Sequence, residues 1–347
     1  MPVKSTEMGG YTLLEQASLS AHNTLRVAAR ARWLAEVHDP RALPKLLASP
    51  ALQQLPRLVL GEGSNVLFTT DYPGLVVRLA TRGIEVRDPN NPTTHLRAAA
   101  GEHWDDLVRW SLGHGYPGLE NLILIPGSVG AAPFQNIGAY GVEVAEYIHS
   151  VEAWDRQTQQ TVELPGTACE FGYRDSCFKH QPDRWIVTAV NFILPQQPKL
   201  HLEYAGLRAQ LARMGVQHPA PYHVAEAVLQ LRTRKLPDPN LIANAGSFFK
   251  NPLLPTQQAH ELQAEYPQIV LWPAPEEHMK VSAAWMIDTC GFKGLREGDA
   301  GISNRHALVL VNHGKASGAE LWALAQRVRE GVQQRFGIML EPEPRIL

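Results

Sequence analysis

Residues 117–141 read PGLENLILIPGSVGAAPFQNIGAYG, 25 residues with five glycines, three prolines and a single formal charge, Glu120. Prolines and glycines at this density break any long helix, and a segment so poor in charge is not a solvated linker. It must be packed backbone. Gly127, Gly130, Gly138 and Gly141 can take φ > 0 and let a flat or phosphorylated ligand approach the main chain without Cβ interference. Successive exposed N–H groups there can form an anion-binding nest. The same composition suits a tightly turned structural loop between strands, and both readings stand on these residues.

Working outward, LPRLVLGEGSNVLF (55–68) is an apolar strand running into Gly61-Glu62-Gly63-Ser64-Asn65. Val66 in place of a sixth-position glycine, and the strand-like LVVRLATRGIEV that follows, break the dinucleotide-binding fingerprint in context. The two glycines with Ser64 and Asn65 still make a pyrophosphate cradle. LRAAAGEHWDDLVRWSLGHGY (96–116) gives a strand, a Gly turn and an amphipathic helix, with Trp104 and Trp110 assigned to the core. YIHSVEAWDRQTQQTVEL predicts two strands joined at Arg156–Gln160, and FGYRDSCFK and RWIVTAVNFIL continue the β pattern.

Before this block, residues 1–18 form a polar lead without an assigned role. Leu25, Val27, Ala29 and Ala31 alternate like a short strand, and Leu43–Ser49 reads as a short helix. After Pro195 the chain is punctuated by prolines, with helices expected near Tyr204–Met214 and Val224–Arg234 and a domain boundary near 198–220. Further on come a helix Pro255–Tyr266, a strand HALVLVN, a helix Gly318–Phe336 and a closing strand GIMLEPEPRIL.

At 347 residues, 44% hydrophobic and 19% charged, the chain has room for two or three ordinary globular domains. A net charge of −2 supplies no basic field for nucleic acid. Cys169, Cys177 and Cys290 are odd in number and lack C-x-x-C spacing, which suggests neither a disulfide framework nor a zinc site and fits a reducing cytosol. His218 and His223 have finger-like spacing without a cysteine pair, so no metal is expected. The start lacks an apolar signal region and no long apolar run follows, so neither export nor a membrane span is expected.

Several side chains could carry chemistry. Arg174, flanked by Phe171 and Phe178, offers a planar fork for a carboxylate or phosphate, or else a partner for Asp175 or Glu170. Ser247, in NAGSFFKNP, is either a hydrogen-bonded structural serine or a proton donor; no neighbouring His or Asp marks it as an acyl-transfer nucleophile. Glu343, between two prolines near the end, belongs either to a solvated tail or to a docked terminus. Arg232, Lys235, Lys280 and Lys293 could neutralise a diphosphate.

Taken in order, LSAHNT, LGEGSNVLF, GLENLILIPGSVGAAPFQNIGAYG, FGYRDSCFK, RTRKLPDP, NAGSFFKNP, AAWMID, GFKG and LEPEPR resemble the UDP-N-acetylenolpyruvoylglucosamine reductases over nearly the whole chain. The resemblance implies an α+β protein: a two-lobed FAD-binding domain of the vanillyl-alcohol-oxidase type and a smaller α+β substrate-binding domain. It implies a lead at 1–18, the flavin domain at 19–197 and a linker with a tyrosine loop at 198–219. The substrate domain then covers 220–335, and a C-terminal strand at 336–347 carries Glu343 back to the active site.

Carried over motif by motif, the family's active-site arginine, proton donor and glutamate fall on Arg174, Ser247 and Glu343. Noncovalent FAD would be held by Gly61, Gly63, Ser64, Asn65, Pro126, Gly127, Ser128, Gly130, Ala131, Asn136, Gly138, Ala139 and Tyr140. The UDP-sugar would meet Tyr173, Tyr204, Arg232, Lys235, Asn251, Lys280, Lys293 and His306, where relatives of this type can carry an amide at the last position. Tyr204 resembles the loop tyrosine of the family's first type. The sequence stops two residues after Arg345, giving the expectation that a C-terminal strand extension is absent.

The implied reaction is NADPH-dependent reduction of an enolpyruvyl ether, in which Arg174 stabilises the developing enolate and Ser247 protonates its carbon. Glu343 would assist if protonated or through a water network. The expected setting is a cytoplasmic monomer whose partners are the UDP-sugar and NADPH, with no nucleic acid and no membrane insertion. Two other readings are an oxygen-using flavin oxidase of the same fold and a non-catalytic flavin- or nucleotide-sugar-binding protein. Against the oxidase, the Gly61–Asn65 loop lacks a His or Cys for covalent flavin attachment.

Overall fold

A computed structural model describes residues 5–87 and 93–347. It is an α+β fold that divides into two compact units, one made of residues up to Ala17, Ala31–Glu62 and Pro73–Arg232, the other of Ser18–Arg30, Gly63–Tyr72 and Thr233–Leu347. Residues 1–4 of the polar lead lie outside the described residues. Among the described residues no helix is long and apolar enough to cross a membrane.

The first unit contains two five-stranded sheets. One runs in the order Ser5–Met8, Tyr11–Ser18, Arg30–Val37, Tyr72–Leu79, Arg57–Leu60, with the last two strands parallel. Residues 5–18 of the lead, to which the sequence assigned no element, therefore form a β-hairpin. The other sheet is antiparallel and centred on Trp185–Pro195, flanked by Ile148–Asp155 and Thr93–Ala99. Its central strand is buried along almost its whole length, which is why WIVTAVNFIL reads as one apolar run. Gln160–Pro165 pairs with Ile148–Asp155 as an antiparallel hairpin, as the sequence predicts.

The helix Trp104–Gly113 turns Trp104, Leu107 and Val108 into this core. Trp104 is 1% exposed, and its indole N–H donates to the carbonyl of Leu122 at 2.9 Å. An amphipathic helix with a partnered indole is the expected solution for a buried tryptophan.

In the second unit, Ala243–Ser247, Val309–Asn312, Ala300–Ile302 and Arg296–Glu297 form a four-stranded antiparallel sheet. A three-stranded sheet of Leu253–Pro255, His278–Val281 and Leu271–Ala274 belongs to the same unit. The long helix Gly318–Phe336 matches the sequence expectation, because its ends are encoded locally. Ser317 and Glu320 form a reciprocal capping box, and Gly337 closes the other end at φ 70°.

Three expectations need correction. FGYRDSCFK is not a strand: Gly172 and Asp175 close a reverse turn on each other, and Cys177–His180 is one helical turn. GIMLEPEPRIL is a strand only at Arg345–Ile346, because its prolines lack the N–H needed for a longer ladder. Leu25–Ala31 does alternate in burial, but the strand begins at Arg30. Upstream, Asn23 uses its side chain to bond the carbonyls of Leu19 and Val27 and the N–H of Val27, occupying groups a ladder would need.

Candidate active site

The glycine-rich stretch is packed backbone, and its glycines serve two different needs. Gly127 and Gly141 have φ of 126° and 85°, a region that favours glycine. Gly130 and Gly138 do not need positive φ; they are required for close approach. A Cβ on Gly130 would lie 2.6 Å from the Ala100 Cβ, and one on Gly138 would lie 3.0 Å from Arg174 Nη1. Asn136 sits left-handed at φ 42°, with its side chain fully engaged: its amide donates to Glu143 and the Gly172 carbonyl, and its oxygen accepts from Ala145. It thereby ties the stretch to the turn that carries Arg174.

That turn presents Arg174 with φ 54°. Its Nη2 donates to the Gly138 carbonyl at 2.6 Å, and its guanidinium lies 5.5 Å from the centre of the Tyr173 ring. Of the two acids considered as partners from the sequence, Asp175 pairs with His180 at 2.7 Å and Glu170 with the same ring at 3.7 Å.

Nearby on the same unit, the Tyr140 and Tyr204 rings stand 4.7 Å apart, with Tyr204 still 41% exposed. Burial pushes the Tyr140 hydroxyl up to about 12 despite the opposing charge of Arg232. Arg232 donates to the Leu124 carbonyl at 3.2 Å, while its Nε is sealed from solvent without a hydrogen-bond partner. Desolvation pulls its pKa down, and the like charge of Arg174 adds to this. A guanidinium stays charged even so, and a buried cation with an unmet donor is suited to an anion. The first unit thus brings Gly138, Tyr140, Tyr173, Arg174, Tyr204 and Arg232 into one neighbourhood.

The second unit gathers another set. A bulge between Asn244 and Ser247 interrupts the pairing of the Ala243–Ser247 strand, with Gly246 at φ 68°, before Ser247 pairs with Val309. The chain then runs alongside the C-terminal segment: the Glu343 N–H donates to the Phe248 carbonyl at 2.8 Å and the Lys250 N–H to the Glu341 carbonyl at 3.0 Å. Ser247 therefore lies one residue before the Phe248–Glu343 pairing. Asn65 closes the group by donating to the Glu343 carbonyl at 3.3 Å. The terminus is docked: Arg345 and Ile346 pair in parallel with Val66 and Leu67.

Further along, His306 lies close enough to Lys235 and Lys293 to feel both charges. Burial, reinforced by these lysines, lowers its pKa to about 4. The Leu308 N–H donates to its Nδ1 at 3.2 Å, so the proton of the neutral ring is on Nε2. Asn251 accepts from the Ala283 N–H at 3.0 Å, and Lys280 stands on the separate three-stranded sheet, opposite Leu253 and Trp272.

One feature of the cradle was not singled out from sequence. Glu62 accepts from the Gly127 N–H at 3.2 Å, and its other, buried carboxylate oxygen lies against His103 Nδ1. The signal was present: an acid between two glycines of an anion-binding loop repels the anion unless its charge is neutralised within the protein.

Residues 31–164 match an FAD binding domain, and residues 238–347 match the C-terminal domain of UDP-N-acetylenolpyruvoylglucosamine reductase. The chain is 52% identical over 339 residues to the UDP-N-acetylenolpyruvoylglucosamine reductase of Xanthomonas euvesicatoria pv. vesicatoria, covering 97% of both proteins.

The chain belongs to the UDP-N-acetylenolpyruvoylglucosamine reductase family.

The reductase of Xanthomonas oryzae pv. oryzae strain PXO99A is 51% identical over 346 residues and covers 99% of each chain. The crystal structure of the Thermus caldophilus reductase superimposes with a TM-score of 0.67 at 26% identity, covering 100% of this chain and 99% of that one. Both glycine loops fall within the matched flavin domain, and Ser247, His306 and Glu343 fall within the reductase C-terminal domain. Arg174, Tyr204 and Arg232 lie between the two matches.

The residues fit FAD. A Cβ on Gly61 would lie 2.6 Å from Ser128 Oγ and 3.3 Å from the Ala131 Cβ, so the Gly61 main chain packs directly on side chains of the other glycine loop. Among the described residues, the N–H groups of Glu62 and Gly63 have no acceptor, as an anion nest requires.

Proposed function

We infer that the chain catalyses the NADPH-dependent reduction of UDP-N-acetyl-3-O-(1-carboxyvinyl)-glucosamine to UDP-N-acetylmuramate, with FAD bound noncovalently, in peptidoglycan synthesis. The observation that carries this reading is near-complete coverage of reductase relatives at 52% identity, with both glycine loops inside the matched flavin domain. Neither the oxidase nor the storage-protein reading is favoured. When bound, FAD would supply the hydride chemistry between NADPH and the substrate's terminal vinyl carbon.

The chain's own residues supply position, field and a proton. Gly61, Gly63, Ser64, Asn65 and the Pro126–Tyr140 stretch hold the cofactor. Arg174 meets the negative charge that builds on the substrate carboxylate; preorganised charge of this kind is typically worth about 2.7–4 kcal/mol per donor. Its bond to the Gly138 carbonyl supports that role, because it fixes the fork before charge develops. Ser247 delivers a proton to the α-carbon, and Glu343 assists as a protonated acid or through a water network. Tyr173, Tyr204, Arg232, Asn251 and Lys280 contact the UDP-sugar. Lys235 and Lys293, with the uncharged Nε2–H of His306, favour its phosphates. The protein works as a cytoplasmic monomer.

The test is anaerobic and separates the half-reactions. NADPH should bleach the yellow protein and the enolpyruvyl substrate should restore its colour. Ser247→Ala should bleach almost normally but recover colour at least about 100-fold more slowly, the usual scale for a lost proton donor. Equal damage to both halves would remove Ser247 from the donor role. Arg174→Lys should also turn over poorly, since a point charge lacks the planar fork.

A further inference from the structure

Glu62 and His103 have no part in the roles above, yet they occupy the junction of the two glycine loops. The Gly127 N–H donates to Glu62 Oε2 at 3.2 Å, and the other carboxylate oxygen faces His103. His103 forms a β-bridge with Ser128, and the Trp104 N–H donates to the Gly127 carbonyl at 2.9 Å. On its far side, His103 Nε2 lies 3.5 Å from Arg82 Nη2. A guanidinium can only donate, so Nε2 accepts, and the Nδ1 proton points at Glu62. The carboxylate thereby faces two protein donors, the Gly127 N–H and the His103 Nδ1–H, one residue away from the loop N–H donors.

We propose that Glu62 is a positioning residue for the flavin: held by His103, its carboxylate fastens the Gly61 loop to the Gly127 loop and keeps its own charge turned away from the cofactor phosphates. The inference rests on the reading that these loops hold FAD. It predicts a defect in cofactor affinity rather than in folding. Glu62→Ala loses both the acceptor for Gly127 and the partner for His103. Glu62→Gln keeps one carbonyl acceptor and loses the second carboxylate oxygen, so it cannot accept from both Gly127 and His103.

The experiment strips FAD from the full chain and titrates it back, following the quenching of FAD fluorescence and the visible circular dichroism of the bound flavin. Wild type, Glu62→Gln, Glu62→Ala and His103→Gln are compared, each with a melting curve of the stripped protein. Glu62→Ala should weaken FAD binding by about tenfold or more, with Glu62→Gln in between and melting temperatures close to wild type. FAD affinity within about twofold of wild type in Glu62→Ala would overturn the proposal. So would a loss that simply follows a lowered melting temperature and is not recovered by Glu62→Gln. Should Glu62→Ala fail to fold, wild-type affinity and dichroism in both Glu62→Gln and His103→Gln would overturn it equally. A wild-type protein that takes up no FAD would bring down the cofactor reading itself.

Discussion

The stretch 117–141 and the C-terminal segment after Gly337 look alike in sequence: both mix prolines with apolar residues, and neither forms a long regular element. They are held in different ways. The first is fixed in part by partners near it in the chain, with Val129 donating to Glu102, Gly130 to Ala100 and Val144 to Ile137, and in part by more distant ones such as Glu62 and Arg232. The second depends on partners across the whole sequence: Asn65 reaches the Glu343 carbonyl and Thr69 the Leu347 carbonyl, each 278 residues away. Local fixing makes a structure readable from composition and exposes it to backbone crowding. Remote fixing hides a structure from sequence and exposes it to loss of a strand.

The largest effect should come from breaking the remote side. Deleting Pro344–Leu347 removes the Arg345 bond to Asn65, the Leu347 bond to Leu67 and the Thr69 bond to Leu347. Urea denaturation should show a loss of about 3 kcal/mol, at roughly 1 kcal/mol per hydrogen bond. An unchanged midpoint would mean that the terminus is held by something else.

Breaking the local side should cost slightly less. Gly130→Ala pushes a methyl against Ala100, with its Cβ at 2.6 Å and its backbone Cα at 3.1 Å. Thermal melts should lose stability equivalent to about 2 kcal/mol, a usual cost of overpacking where the neighbour is backbone. Stability equal to wild type would show that the stretch yields more readily than its packing indicates.

The smallest effect sharpens the comparison through pH. Unfolded, His306 takes up a proton near its ordinary value of 6.5, whereas in the fold burial and two lysines hold it off until about 4. Stability is therefore full above pH 6.5 and falls as pH drops towards 4, because the unfolded chain binds more protons across that window. His306→Gln should flatten the dependence by about 1 kcal/mol, allowing for partial exposure. The measurement is a series of melts across that range, and an unaltered slope would assign it to other groups.

What could be read in the sequence follows the same division. The packed glycine stretch, the Ile148–Pro165 hairpin, the Trp104 helix and the capped Gly318–Phe336 helix are encoded by residues within a few turns of one another. The identities of Arg174, Ser247 and Glu343 as candidates came from motifs, but their settings did not. Alternating aromatics around Arg174 imitate a strand, whereas the backbone needs a left-handed residue that no periodicity announces. The placement of Ser18–Arg30 and Gly63–Tyr72 with the C-terminal half depends on pairings such as Val66 with Arg345, which no local pattern encodes. Glu62 was in plain view but was passed over, because its meaning lies in His103 rather than in its neighbours.

The left-handed backbone at residue 174 makes two incompatible demands on one position. Main-chain comfort asks for glycine, since a side chain there costs of order 1 kcal/mol, while the chemistry asks for a guanidinium anchored to Gly138. A laboratory lineage selected only for heat resistance has a reason to abandon arginine at this position, and one selected for growth has a reason to keep it. Under the proposed function, residue 174 is a place where thermostability and catalysis compete.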